Sequence, residues 1–246
     1  MQPNQWPDVT DAIGAQGFRE EVEAVIAELT GIGARLMRAI AVSLGLQPDA
    51  FDHCFHPWPN IQYKVARYLC PAGETSCSGV GAHSDSGMLT LLIQDQNGGL
   101  EAQLPGGKWI AVPPREGMLV VNLGEMLQVA TDGYYLATVH RVVNTPGKER
   151  LSFPFFYNAA LNSRMRLVAA DGKPYPLSAH LPWERESQER DGRNWRQDQN
   201  EMLEVYGDNA LKSLARSHPE CTQRHHADLI IMPDGRVERT ANLDQH

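Results

Sequence analysis

The sequence has no CxxC pair among its four cysteines, Cys54, Cys70, Cys77 and Cys221, so nothing in their spacing reads as a thiolate metal ribbon or a redox motif. Free thiols in a reducing, cytoplasmic setting are the expectation. No run approaches the roughly 18 apolar residues that a membrane-spanning helix needs. The opening MQPNQWPDVT offers neither a basic n-region nor an apolar h-region, and no secretory leader is expected. Basic clusters are absent too: 22 Lys and Arg stand against 30 Asp and Glu, a net charge of −8 that opposes capture of nucleic acid or an anionic membrane. There is no internal repeat, low-complexity tract or linker. A small-molecule substrate fits this balance better than a polyanion, and self-association into a homo-oligomer stays open.

What is present is an ordinary globular composition, 42% apolar and 21% charged over 246 residues, enough for one sizeable core. From Phe18 to Leu44 the residues Phe18, Val22, Val25, Ile26, Leu29, Ile32, Leu36, Ile40 and Leu44 recur every three or four positions. Glu20, Glu21 and Glu23 come early and Arg35 and Arg38 late, as a helix dipole favours, and Gly45 supplies the stop. Gly31 and Gly33 mark either a bend or a close packing contact, and a short second helix is expected after Pro48.

After His56 the texture becomes β-rich. Short runs at 61–69, 88–93, 99–103, 109–112, 118–122, 138–143 and 152–157 are separated by Gly, Pro, Asn and Asp. Many short strands with frequent turns indicate a sandwich or barrel. The polar stretch 182–207, with Trp183, Trp195, Met202, Leu203 and Tyr206 as apolar points, reads as a helix outside that barrel. The whole chain, 1–246, is therefore expected to be one domain, with a helical part over 1–56, a β core over 57–170 and a helical extension over 171–246.

The chemistry concentrates in GVGAHSDSGMLTLLIQD. His83 and Asp85 are two apart at the end of an expected strand, so they share a face and can grip one ion. His140, in YLATVHRVVN on another expected strand, can supply the third ligand. Two imidazoles and one carboxylate on one side of an octahedral ion leave three adjacent positions for co-substrate and oxygen. A lone HxD is weak evidence, because most such patterns are coincidence. Two companions strengthen it. Arg150 and Ser152, on a further strand, can bind a carboxylate with a guanidinium fork and a hydroxyl, and Tyr68 can offer its phenol to the same anion. Taken singly, Arg150 could equally be a solvated strand-end charge and Tyr68 a wall aromatic.

The segments GAHSDSGMLTLL, GGLEAQLPGGKWIAVPP, LVVNLGEMLQVATDGYYLATVHRV and ERLSFPFFYNA, in this order, resemble the isopenicillin N synthase-like family of Fe(II)/2-oxoglutarate-dependent dioxygenases. The likeness runs from near Tyr68 to the C-terminal YGDNALKSLARSHPE. It implies a mainly β fold with flanking helices, a double-stranded β-helix or jelly-roll barrel. It also implies iron held by His83, Asp85 and His140, and 2-oxoglutarate bound by Arg150 and Ser152 with help from Tyr68. O2 would be the oxidant and ascorbate a supporting reductant. The implied reaction hydroxylates, desaturates or cyclises a small metabolite while 2-oxoglutarate becomes succinate and CO2. Two alternatives remain: an oxidase like isopenicillin N synthase itself, which spares 2-oxoglutarate, and a non-catalytic metal-binding barrel. Family members usually begin with a longer N-terminal part, and Ala66 and Glu125 stand where Asn and Asp are common.

Other clusters carry less. His225, His226 and Asp228 sit too close in sequence to converge without a sharp turn. His53, Cys54 and His56 precede Pro57-Trp58-Pro59 and read as a packed loop. LPGGK lacks the Ser or Thr of a phosphate-binding loop and reads as a β-turn. Trp109, Phe153, Phe155, Phe156 and Tyr157 are assigned to the barrel core, with one of them facing the substrate cavity.

Overall fold

The computed structural model describes Trp6 and residues 17–74, 77–104, 106–164, 203–232 and 237–239. Its elements are α1 (Phe18–Ser43), β1 (Asn60–Tyr63), β2 (Ala66–Leu69), β3 (Cys77–His83), β4 (Leu89–Gln94), β5 (Leu100–Gln103), β6 (Trp109–Ala111), β7 (Val120–Leu123), α2 (Glu125–Ala130), β8 (His140–Asn144) and β9 (Glu149–Asn158). They are followed by α3 (Tyr206–Ser217), α4 (Pro219–His225), β10 (Leu229–Ile231) and β11 (Val237–Arg239). A turn and a 3-10 helix at Asp52–Phe55 replace the second helix expected after Pro48. Most of the helix expected over 182–207 lies outside the described residues.

Two antiparallel sheets form the β core. One has the order β1-β9-β4-β7 with β2 also on β9, and the other is β3-β8-β5-β6. Together with the helices on one side this is the expected double-stranded β-helix. The run 61–69 is interrupted at Lys64 and Val65, yet β1 and β2 keep one register along β9, from Asn60 opposite Asn158 to Leu69 opposite Glu149. Strand β3 was expected only as the strand end that carries His83, and the β10-β11 hairpin was not among the expected strands.

Alternation along β4 and β9 decides what the two faces meet, because successive side chains in a strand point to opposite sides. Leu89 and Leu91, Phe155 and Tyr157 face α1 and enter a core with Leu29, Met37, Ala41 and Met126. Each such side chain contributes on the order of 1.5–3 kcal/mol when buried. Thr90 and Leu92, Arg150, Ser152, Pro154 and Phe156 face the other way, into a cavity between the sheets. Helix α1 runs unbroken through Gly31 and Gly33, and Gly33 serves packing: a Cβ there would lie 2.8 Å from the ring of Tyr157. Phe156 is the aromatic that lines the cavity, while Trp109 lies on edge strand β6 under the Arg141 guanidinium, 4.1 Å from its ring centre.

The cysteines require a correction. Cys70, just after β2, and Cys77, at the start of β3, are joined as a disulfide, their Cα atoms 5.5 Å apart. Cys54 is free and buried, and Cys221 is free and exposed. No helix among the described residues is long and apolar enough to cross a membrane.

Candidate metal centre and its cavity

His83 ends β3 and His140 begins β8, and the two residues are opposite one another in the ladder. Their rings stand 4.3 Å apart between centres. Asp85, in the turn after β3, comes between them: its Oδ1 is 3.7 Å from His83 Nε2 and its Oδ2 is 3.9 Å from His140 Nε2. One ligand atom from each residue lies within 4.8 Å of the others, the only such group of three among the described residues. The HxD spacing thus does what the sequence suggested. The clusters at His53 and at His225 form no comparable group; His53 Nε2 instead lies 3.5 Å from the buried Cys54 thiol.

The backbone sets each ring's tautomer. His83 Nδ1 faces the Gly81 carbonyl at 2.9 Å, and His140 Nδ1 faces that of Thr138 at 2.9 Å. A carbonyl can only accept, so both Nδ1 atoms carry the proton and both Nε2 lone pairs point to the centre. Asp85 is oriented equally firmly. Thr90 donates its hydroxyl to Oδ2 at 2.5 Å and Asn122 its amide at 2.7 Å, so Oδ1 remains for an ion. Such partners fix a ligand's orientation and basicity.

The turn that carries Asp85 is held from behind. The Glu125 and Met126 amides at the start of α2 donate to the Asp85 and Gly87 carbonyls, and Ser84 donates to the Glu125 carboxylate. Glu125 therefore does positional work where Asp is common. A side chain at Gly87 would collide with Asn158. Tyr206 of α3 is buried behind this turn with Asn60, Asn158 and Ser86 as partners, and burial pushes its phenol up to about 12.

The triad opens into a cavity of about 380 Å³ lined mostly by apolar side chains, among them Val80, Leu100, Val120, Val142 and Phe156. At its other end lies Arg150, only 3% exposed. Its Nη2 reaches Gln94 at 3.4 Å, while Nε and Nη1 are buried with no hydrogen-bond partner among the described residues. The Tyr68 ring lies against the guanidinium, 5.1 Å from centre to Cζ, and buried Ser152 lines the same end. Burial pulls the Arg150 pKa down, opposed by Tyr68 and Asp95, but a guanidinium keeps its charge at any ordinary pH. Asp95 acts at one remove. Burial would raise its pKa, yet the Leu151 and Asn97 amides and the Arg150 charge outweigh that and hold it below the usual carboxylate range.

All six residues singled out in the sequence face this one cavity. Thr90, Asn122, Gln94 and Lys64 escaped notice. Thr90 and Asn122 had a signal, since each is a polar residue flanked by apolar ones at an inward position of its strand.

The donor set fits a divalent iron ion: two neutral imidazoles and a carboxylate leave open positions, and none is a thiolate. The unpaired Arg150 donors fit a carboxylate bound beside it.

Comparison with known proteins agrees with this geometry. Residues 60–159 match the family model of the 2OG-Fe(II) oxygenase superfamily. The "Probable iron/ascorbate oxidoreductase" of Dictyostelium discoideum is 38% identical over 163 residues, covering 60% of this chain and 45% of that protein. A 2-oxoglutarate-dependent dioxygenase of Monascus ruber is 31% identical over 195 residues, covering 77% and 59%. Among solved structures, a full-length Neurospora crassa protein in complex with alpha-KG superposes with a TM-score of 0.62 at 28% identity, over 74% of this chain and 57% of that one. The chain thus spans about half the length of the curated relatives it matches.

Proposed function

Because this chain belongs to the 2OG-Fe(II) oxygenase superfamily, we propose that it binds Fe(II) through His83, Asp85 and His140, binds 2-oxoglutarate with Arg150, Ser152 and Tyr68, and oxidises a small molecule held in its cavity. The observation that carries this reading is the pairing of two complementary half-sites in one space. A His-Asp-His group converges its ligand atoms at one end, and a buried guanidinium offers two unpartnered donors at the other. 2-Oxoglutarate, with a keto acid at one end and a carboxylate at the other, matches both. A relative's structure with alpha-KG bound supports the choice of co-substrate.

The chain's residues divide the work. Gly81 and Thr138 carbonyls keep the two imidazoles in the ligating tautomer, and Thr90 and Asn122 hold Asp85 so that Oδ1 points to the ion. Arg150 and Ser152 fix the distal carboxylate, with Tyr68 bracing the guanidinium, which orients the keto acid toward the triad. Bound iron would supply oxygen activation, coupling conversion of 2-oxoglutarate and O2 to succinate and CO2 with insertion of the remaining oxygen atom into the substrate. The apolar wall keeps bulk water away from that step and holds the target C–H bond close to the triad. Ascorbate would serve to restore the ferrous state after uncoupled turnovers.

The test is to supply Fe(II), 2-oxoglutarate and oxygen to the purified chain and measure succinate. Iron-dependent succinate formation, absent in Asp85→Ala, is the expected result. Iron-loaded protein that neither binds 2-oxoglutarate nor forms succinate would overturn the proposal.

A further inference from the structure

Among the described residues that line the cavity, one cation is left unused by the reading above. Lys64 sits in the gap between β1 and β2, but its backbone stays in register: its amide donates to the Pro154 carbonyl at 3.0 Å. That continues the pairing of Tyr68 with Arg150 and Ala66 with Ser152. Lys64, Ala66 and Tyr68 therefore share the inward face, and all three line the cavity. The Lys64 ammonium lies over the Phe156 ring, 5.2 Å from its centre. Phe156 in turn is opposite Thr90, the residue that clamps Asp85. Lys64 is thus level with the metal wall. It stands four strand positions from Tyr68, roughly 13 Å at ~3.3 Å per residue, and so is remote from the Arg150 end.

Charge sharpens the point. Among the described residues Asp85 is the single acid lining the cavity, and its oxygens are committed to Thr90, Asn122 and the ion site. No carboxylate of the described residues comes within ion-pair distance of the Lys64 ammonium. The two ends of 2-oxoglutarate are taken up by Arg150 and by the metal. What remains near the triad is an apolar wall, an aromatic face and an uncommitted ammonium. A hydrophobic body with one negative group satisfies all three.

We propose that Lys64, steadied by Phe156, binds the carboxylate of the substrate, and that the substrate class is small organic acids with an apolar body. This rests on the oxygenase reading, because it assigns Arg150 to the co-substrate. Lys64 is exposed at the lip of the cavity, so a neutral or cationic substrate would leave its ammonium to water, whereas a carboxylate would add an ion pair there.

The experiment is anaerobic calorimetric titration of the iron- and 2-oxoglutarate-loaded protein with matched probes: 3-phenylpropanoate against 3-phenylpropanamide, and octanoate against octanamide. The acids should bind about 2- to 5-fold more tightly than their amides, the range expected for an ion pair with an exposed ammonium. Lys64→Met should erase that preference, Lys64→Arg should keep it, and Lys64→Glu should turn it toward 3-phenylpropylamine. Equal binding of acid and amide by the parent protein, or an acid preference that persists in Lys64→Met, would overturn the proposal. The 2-oxoglutarate titration that precedes each probe reports separately on the oxygenase reading, whose failure would show there before any probe is added.

Discussion

The two ends of the cavity are built on opposite principles. At the triad end every atom that does not point at the ion site is already bonded: both Nδ1 atoms to backbone carbonyls, and Asp85 Oδ2 to Thr90 and Asn122. At the Arg150 end two guanidinium nitrogens are buried without a hydrogen-bond partner among the described residues. The first end is finished before its ligand arrives, and the second is completed by it. Preorganisation lowers the cost of binding, whereas an unsatisfied buried charge lowers the stability of the empty protein and is repaid on binding.

Three substitutions separate the two ends, and a fourth probes a buried group elsewhere. Asp85→Ala removes a ligand from the finished end, and iron affinity should fall well over ~100-fold, more than the loss of an outer partner causes; metal analysis after desalting reads this. Iron retained at parental occupancy would break the comparison. Arg150→Met acts on the unfinished end. 2-Oxoglutarate affinity should drop about 100-fold, yet the unliganded variant should melt no lower than the parent, because a poorly partnered buried charge is exchanged for an apolar side chain of similar reach. Thermal melts with and without 2-oxoglutarate give both quantities, and a large loss of unliganded stability would show that Arg150 is already satisfied. Asn122→Ala loosens Asp85 without removing it, with iron affinity expected to fall ~10-fold while 2-oxoglutarate binding to the metal-loaded protein holds.

The smallest effect, from the fourth substitution, lies outside the cavity. Burial pushes the Cys54 thiol up to about 12 from its ordinary 9.0. The unfolded chain then loses this proton first, so the stability contribution is complete below about pH 9 and declines as pH rises toward 12. Comparing the parent with Cys54→Ala in urea should show the parent losing about 1 kcal/mol more between pH 8 and 9.5.

The legible parts of this protein were those written in local pattern. Helix α1 followed from its three-and-four spacing, and most strands of the core from short β-rich runs bounded by turns. The triad was visible because His83 and Asp85 are two apart and His140 lies in another strand-like run. What local pattern cannot show is pairing between distant segments. Only the register of β1 and β2 along β9 places Lys64 beside Phe156 and Tyr68 beside Arg150. The clamp of Asn122 on Asp85 likewise depends on β7 lying next to β4. The Cys70–Cys77 bond escaped for the same reason, since it depends on where the end of β2 and the start of β3 lie in space. Only the His83 end of β3 was legible, because its glycines, Gly79 and Gly81, weaken strand propensity. Gly79 is needed all the same, as a Cβ there would press on Val142 and Tyr68.

The central claim is that three side chains hold one iron ion while Arg150 waits behind it for an anion. Diffraction at the iron absorption edge, from crystals grown anaerobically with Fe(II) and 2-oxoglutarate, addresses both halves at once. The account expects a single strong anomalous peak bonded to His83 Nε2, Asp85 Oδ1 and His140 Nε2, with a carboxylate of 2-oxoglutarate on Arg150 Nε and Nη1. A peak held by other residues, or 2-oxoglutarate density away from Arg150, would contradict it.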